Sequence, residues 1–210
     1  MTSLNSGFKL TSMKKLSTYL FLILFSFSAP SFAEDISEYE IEGISIGDSL
    51  LNHLSKEEII TEIEKHKPVY NYLTDEFGEV YLYGKFEIYD HLSFIVKPND
   101  KNYIIYHIRG SILYDDKIKQ CYAKQKEIVE EFSVLYKNVR KDEKTYKFPF
   151  DPTGKSKTHN ISFSFDSKDK IRVSCTEYEE NLKIKNNWAD SLQVVIQAKE
   201  ITAWFSNRID

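Results

Sequence analysis

Three groupings in this chain hold residue types that could do chemistry, and each lacks a required member. Gly154-Lys155-Ser156 has the ending of a phosphate-binding loop, where backbone amides and a lysine cradle a phosphate. Such a loop needs a glycine five residues earlier, and Pro149 stands there. It also needs a strand before it and a helix after it, which Phe148-Pro149-Phe150 and Asn160-Ile161-Ser162 do not supply. Gly47-Asp48-Ser49 offers a serine nucleophile near the start of the mature chain, but a nucleophilic serine needs a base, and no histidine follows His159. The five histidines are His53, His66, His91, His107 and His159, and none forms an H-x-H or H-E-x-x-H pattern. His53 with Glu57, and Glu62 with His66, share helical faces at i,i+4, yet two ligands on one helix need a third to hold zinc. The plain readings are a polar turn, a helix cap and surface pairs, so the expectation is no catalytic residue, no cofactor and no metal.

Cys121 and Cys175 are the two cysteines, and they lack the C-x-x-C spacing of redox and metal pairs. The first 33 residues say how to read them. Met13-Lys14-Lys15 is a basic start, Leu16 to Phe27 is almost wholly apolar, and Ser31-Phe32-Ala33 puts small residues where a signal peptidase reads. The apolar run is too short for the roughly 20 residues of a spanning helix and ends in Ser26, Ser28, Pro30 and Ser31, which favours cleavage after Ala33 over a membrane anchor. Met13 is the better initiator than Met1. The expected organisation is a signal peptide over residues 1–33 and one domain over 34–210, located in the periplasm or secreted. In an exported protein an even cysteine pair reads first as a disulfide, here Cys121 with Cys175, with two buried thiols as the alternative.

The signal carries Lys9, Lys14 and Lys15 and no acid, so its removal takes the net charge from −4 to −7. That excess argues against nucleic acid, which needs a basic footprint, and against an anionic membrane surface. No stable membrane anchor is expected after cleavage. Tyr and Phe number 14 each; they could build a stacking platform for a ligand, or fill the faces of strands. Asn160-Ile161-Ser162 matches a glycosylation sequon, but in a bacterial-type export context no glycan is expected.

The elements that would position these residues follow from patterning. Asp48 or Ser49 can cap Leu50–Leu54, and Ser55 with Glu58 forms a capping box before Ile59, Ile60 and Ile63, with Pro68 stopping the helix. Phe86–Tyr89 and Leu92–Val96 read as strands, Lys97–Lys101 as a turn, and Tyr103–Tyr114 as a return strand in which Gly110 suggests a bulge. The return strand's two faces read as Ile104, Tyr106, Ile108 and Tyr103, Ile105, His107. Asp115 or Asp116 caps a long amphipathic helix whose apolar stripe includes Ile118, Cys121, Gln125, Val129, Phe132 and Tyr136. Much of Asp142–Thr158 reads as a loop. Ile161–Phe165 and Ile171–Cys175 alternate as a hairpin, Ser191–Ala198 is a final strand, and Glu200–Asn207 closes as a short helix. Strands clustered in sequence favour an α+β fold: a mainly antiparallel sheet covered by one long amphipathic helix, with a short helical region near the mature N-terminus.

Ile44–Leu51, Phe86–Asp90 and Tyr114–Glu131 around Cys121 carry a resemblance over most of the mature chain. They look like a set of small exported proteins of marine alphaproteobacteria that have no established activity. The Ile-x-Ile-Gly opening at Ile44–Gly47 is also similar to that of small outer-membrane assembly lipoproteins, although the chain lacks their lipid-bearing cysteine. The resulting expectation is a non-catalytic exported domain that binds a protein or a cell-envelope component. The alternatives are a periplasmic hydrolase with an unrecognised site and a small apolar-ligand carrier.

Overall fold

The computed structural model describes residues 36–68, 75–115 and 117–206, so the signal peptide expected at residues 1–33 and its expected cleavage point lie outside the described residues. The described chain is α+β, with a seven-stranded antiparallel sheet, a two-stranded hairpin and four α-helices. No described helix is long and apolar enough to cross a membrane.

Strands β1 (Glu40–Ile41) and β2 (Ile44–Ser45) pair through Glu42 and Gly43, both at positive φ. A 3-10 turn at Leu50–Asn52 and helix α1 (Lys56–His66) follow, and α1 opens on the reciprocal Ser55–Glu58 capping box. β3 (Gly78–Tyr83), β4 (His91–Val96) and β5 (Ile105–Asp115) form one meander. Helix α2 (Ile118–Leu135) leads to a second, made of β6 (Arg140–Lys147), β7 (Lys157–Ser164) and β8 (Lys170–Glu177). After α3 (Glu180–Asn186), strand β9 (Asp190–Gln197) runs between the two meanders, and α4 (Lys199–Ser206) ends the described chain. The spatial order is β3-β4-β5-β9-β8-β7-β6, so the last strand joins the sheet by pairing with both β5 and β8.

Because side chains alternate along a strand, the register sorts the sheet into two unlike faces. Val80, Phe94, Ile108, Ile196, Ile171 and Phe163 form one line across the apolar face, all buried. At about 1.5–3 kcal/mol for each such side chain, this face supplies much of the drive to fold. Helix α2 lies against it over β8, β9 and β5, and buries Cys121, Gln125 and Val129. Cys121 and Cys175 are both fully buried here and form a disulfide with 6.0 Å between Cα atoms. Gln125 is polar in an apolar seam because its amide is saturated: Nε2 donates to the carbonyls of His159 (3.0 Å) and Val173 (2.8 Å), and Oε1 lies 2.7 Å from His159 Nδ1.

The structure departs from the sequence reading at several elements, each for a visible reason. Phe86–Tyr89 is not a strand, because the Glu42 carboxylate takes the amides of Glu87 (3.0 Å), Ile88 (2.8 Å) and Tyr89 (3.2 Å), the donors a ladder would need. The strand of that hairpin lies earlier, at Gly78–Tyr83. Much of the expected loop Asp142–Thr158 is strand, and only residues 148–156 connect β6 to β7. β6 is an edge strand exposed on both sides, so it shows no apolar alternation, and its charges guard the edge. Gly110 makes no bulge; it faces Leu92 and Val194 in register, and a Cβ there would lie 2.6 Å from the Tyr89 ring. The irregularities lie at Ile95/Val96 and Leu113/Asp115 instead, and the first puts Ile105, opposite Val96, on the same face as Ile108, not with His107. Lys117, not an aspartate, occupies the N-cap of α2, and Asp115 ends β5 at positive φ. Helix α3 was not expected.

Candidate functional site: a polar sheet face

The residues singled out from the sequence lie on separate elements in local structural roles. Ser49 caps the 3-10 turn: its Oγ accepts from Leu51 N (3.3 Å) and donates to the Asn102 carbonyl (2.6 Å). Asp48 accepts from Ser45 N at 2.9 Å. His53 is exposed after that turn. His66, buried on α1, has Nδ1 2.8 Å from the Glu62 carbonyl and its ring centroid 4.5 Å from that of Tyr81. The Gly154-Lys155-Ser156 turn is organised by Asp151, which accepts from Thr153 N (2.7 Å), Thr153 Oγ1 (2.7 Å) and Ser156 N (2.6 Å). Burial raises the Asp151 pKa, but these hydrogen bonds outweigh it and hold the carboxyl well below its ordinary range. Lys155 is exposed, with Nζ 3.9 Å from Glu179.

The chemistry gathers elsewhere, on the sheet face opposite α2. Three lines cross it in register. One runs Tyr83, His91, Ser111, Gln193, Ser174, Asn160. The next runs Tyr81, Ser93, Arg109, Val195, Arg172, Ser162. The third runs Glu79, Ile95, His107, Gln197, Lys170, Ser164. β6 extends them with Lys144, Asp142 and Arg140. Along these lines Arg109, Arg140, Lys144, Lys170 and Arg172 stand against Glu79 and Asp142, an excess of three positive charges on a chain whose net charge is −4. Helix α4 closes one end, where Ile201 and Trp204 pack on Phe77 and Ile95, and Gln197 Nε2 donates to Thr202 Oγ1 at 2.8 Å.

Arg109 is held from two sides. Its Nη2 donates to Glu79 Oε1 at 2.6 Å and to Tyr81 Oη at 2.7 Å, and its guanidinium lies 5.5 Å from the Tyr81 ring centroid. Glu79 is only 1% exposed. Tyr81 stacks on Tyr83 with centroids 6.1 Å apart, and His91 lies 6.1 and 5.8 Å from the two rings. Two strands from Arg109, the half-buried Arg172 has no carboxylate within 4 Å among the described residues. Burial pushes its guanidinium below the ordinary pKa; Tyr146 opposes that shift and Arg109 adds to it. His107, 3% exposed, is driven well below its ordinary pKa by burial and by the charges of Arg109 and Arg172, against a hydrogen bond with Gln197. Burial and Arg109 also lower His91, against Asp90 and Glu79. Both rings are therefore neutral at pH 7.

Ser93 Oγ, His107 Nδ1, Ser111 Oγ, Asn160 Oδ1 and Arg172 Nε are buried without a hydrogen-bond partner among the described residues. Native folds leave few such atoms; these five lie on this one face, and Glu62 Oε2 on α1 and Tyr136 Oη at the end of α2 lie off it. Neither Ser93 nor Ser111 is hydrogen-bonded to a histidine base, so the arrangement presents charge and hydrogen-bonding capacity, not an activated nucleophile. Among the described residues no group of three or more His, Cys, Asp or Glu could hold a metal ion. A cleft of about 360 Å³ between α1 and the start of β3 is spanned by the Lys67–Asp75 ion pair (2.6 Å) and gathers no comparable set.

Sequence reasoning missed Glu79, Arg109, Arg172 and Gln193, and weighed His91 and His107 only as metal ligands, because polar residues alternating with apolar ones are what a solvated face also shows. A usable signal was the repeated spacing of His107-x-Arg109-x-Ser111 and Arg172-x-Ser174-x-Thr176 on interior strands. Comparison with family models, with curated proteins and with solved structures found no match to this chain.

Proposed function

We propose that the protein is an exported, non-catalytic binding domain of the bacterial envelope, and that its polar sheet face holds an anion-bearing envelope component. One observation carries this reading: Arg172 is a half-buried charge with no carboxylate within 4 Å among the described residues, placed in line with a second arginine two strands to one side and with Asp142 two strands to the other. Taking a charge out of water without pairing it costs several kcal/mol, and a fold keeps such a group where something else compensates it. A carboxylate or phosphate between Arg109 and Arg172 would do so. In this reading α2 is the cover of the core face and the N-terminal helical region flanks it, which leaves the opposite face for the ligand. The polarity of that face speaks against an apolar-ligand carrier.

Export is supported by the order of basic, apolar and small-residue segments over residues 1–33 and by a disulfide, which oxidising compartments favour. The kinship with small exported proteins of marine alphaproteobacteria belongs to the same proposal. Two measurements test it. Intact mass of the protein recovered from the periplasm should correspond to a chain beginning at Glu34. Titration of the isotope-labelled chain with inorganic phosphate should move the side-chain signals of Arg109 and Arg172 and spare those of Lys155. Unmoved arginine signals at millimolar phosphate would overturn the binding-face assignment.

A further inference from the structure

We infer that the ligand of the polar face is an acidic saccharide, with its anionic group between Arg109 and Arg172 and its ring and hydroxyls along the neighbouring line from Tyr83 to Asn160. This rests on the anion-binding reading above and names the class of ligand.

The unpartnered atoms decide the chemistry. Arg172 Nε is a donor and Asn160 Oδ1 an acceptor, while the hydroxyls of Ser93 and Ser111 can be either. Inorganic phosphate carries one or two P–OH donors on a single small ion, and Asn160 stands one strand and two residues from Arg172, about 8 Å by backbone spacing, so an ion held by the arginine leaves Asn160 Oδ1 bare. A sugar hydroxyl donates and accepts at once. A molecule with one anionic group and several hydroxyls therefore satisfies these four, while His107 Nδ1 lies on the third line, outside its reach.

The spacing agrees. The line holding the arginines and the line holding Ser111, Gln193, Ser174 and Asn160 are two residues apart along the strands, about 6.8 Å at the usual rise. One pyranose ring with its substituents bridges that gap. Across the sheet, strand spacings of about 4.8 Å make the line from Tyr83 to Asn160 about 24 Å long, enough for a short oligosaccharide.

The aromatic end completes the match. Tyr83 is 64% exposed, stacks on Tyr81, and stands beside the neutral ring of His91. Such a platform packs on the C–H face of a sugar. Single-stranded nucleic acid also stacks on aromatics, but it calls for a basic groove that tracks the backbone. Here three excess positive charges are spread over seven strands of a chain that is negative overall.

The test is calorimetric titration of the exported chain with five probes: tetragalacturonate, glucose 6-phosphate, inorganic phosphate, maltotetraose and octathymidylate. An acidic sugar should bind at least tenfold more tightly than both maltotetraose and inorganic phosphate, and more weakly as salt is raised. Whichever of tetragalacturonate and glucose 6-phosphate binds better identifies the anionic group as carboxylate or phosphate. Arg172→Met should weaken that binding at least tenfold. Tyr83→Ala, at a 64% exposed position, should weaken it at least threefold, with unchanged urea unfolding as the check that the fold is kept. If inorganic phosphate binds as tightly as the acidic sugars and shifts both arginines, the anion site stands and the saccharide assignment falls. Tighter binding of octathymidylate than of any sugar overturns the saccharide assignment as well. If no anionic probe binds, the anion-binding reading falls with it.

Discussion

Replacing Arg172 by methionine should make the protein more stable while it weakens ligand binding. Methionine has a similar length and fills the space of the aliphatic stem, so packing is largely kept. What disappears is a half-buried charge with no carboxylate within 4 Å among the described residues and with Arg109 two strands away in the same line. Two strand spacings put the backbones about 10 Å apart. Like charges at that distance repel by about 1.7 kcal/mol at an effective dielectric constant of about 20, physiological salt reduces this to about 0.5 kcal/mol, and Asp142, two strands away on the other side, offsets it by a similar amount. Relief of the desolvation of the guanidinium therefore supplies the net gain, about 1–2 kcal/mol. For a chain of this size each kcal/mol moves the melting temperature by about 2–4 °C, so the shift should be about 2–8 °C upward. Urea unfolding at pH 7 measures the change directly, with the slope m checked for constancy. A variant less stable than the parent by about 1 kcal/mol or more would refute the reasoning, since it would mean that the guanidinium has a structural partner.

Three further outcomes are expected. Removing the disulfide by the paired change Cys121→Ala and Cys175→Ala, which opens a sequence separation of 54, should cost about 4 kcal/mol in the chain-entropy account, read as the difference in urea midpoints with m fixed. His107 is held neutral below its ordinary pKa in the folded state, so the unfolded chain takes up the proton first as pH falls. Its contribution is present above about pH 6.5 and is lost below it, at up to about 1.4 kcal/mol per pH unit. His107→Gln should flatten stability between pH 6.5 and 5 relative to the parent, with the lowered His91 leaving part of the slope in place. Gly110→Ala should destabilise by about 1–3 kcal/mol, because its Cβ meets the buried Tyr89 ring at 2.6 Å; unchanged thermal melting would show that the ring moves aside without cost.

The fold was legible where one face of an element is buried and the other is wet. Ile161-x-Phe163 and Ile171-x-Val173-x-Cys175 announce their strands because period two coincides with burial, and Cys121 and Gln125 lie on the buried stripe of α2. It was illegible where tertiary contacts overrule local preference. Phe86–Tyr89 has strand composition, but the Glu42 carboxylate, more than forty residues earlier, removes its amide donors. β6 has no apolar alternation because neither of its sides is buried. The candidate site was hidden for a related reason: Arg109 and Arg172 lie 63 positions apart in sequence and share a line only because β9 enters between their strands. No motif records that adjacency.

The position of β9 also bears on how the chain comes to be folded. Ile112 pairs with Leu192 across 80 residues, and the two meanders share no ladder until that last strand arrives. A nascent or truncated chain ending before Asp190 has two half-sheets, each with a bare inner edge at β5 or β8 and an apolar face beside it. Long-range closure of this kind is slow, and open edges of this kind adhere to one another. Completion therefore waits on β9. The delay makes a premature stop anywhere before β9 a route to aggregation and not to a smaller working domain.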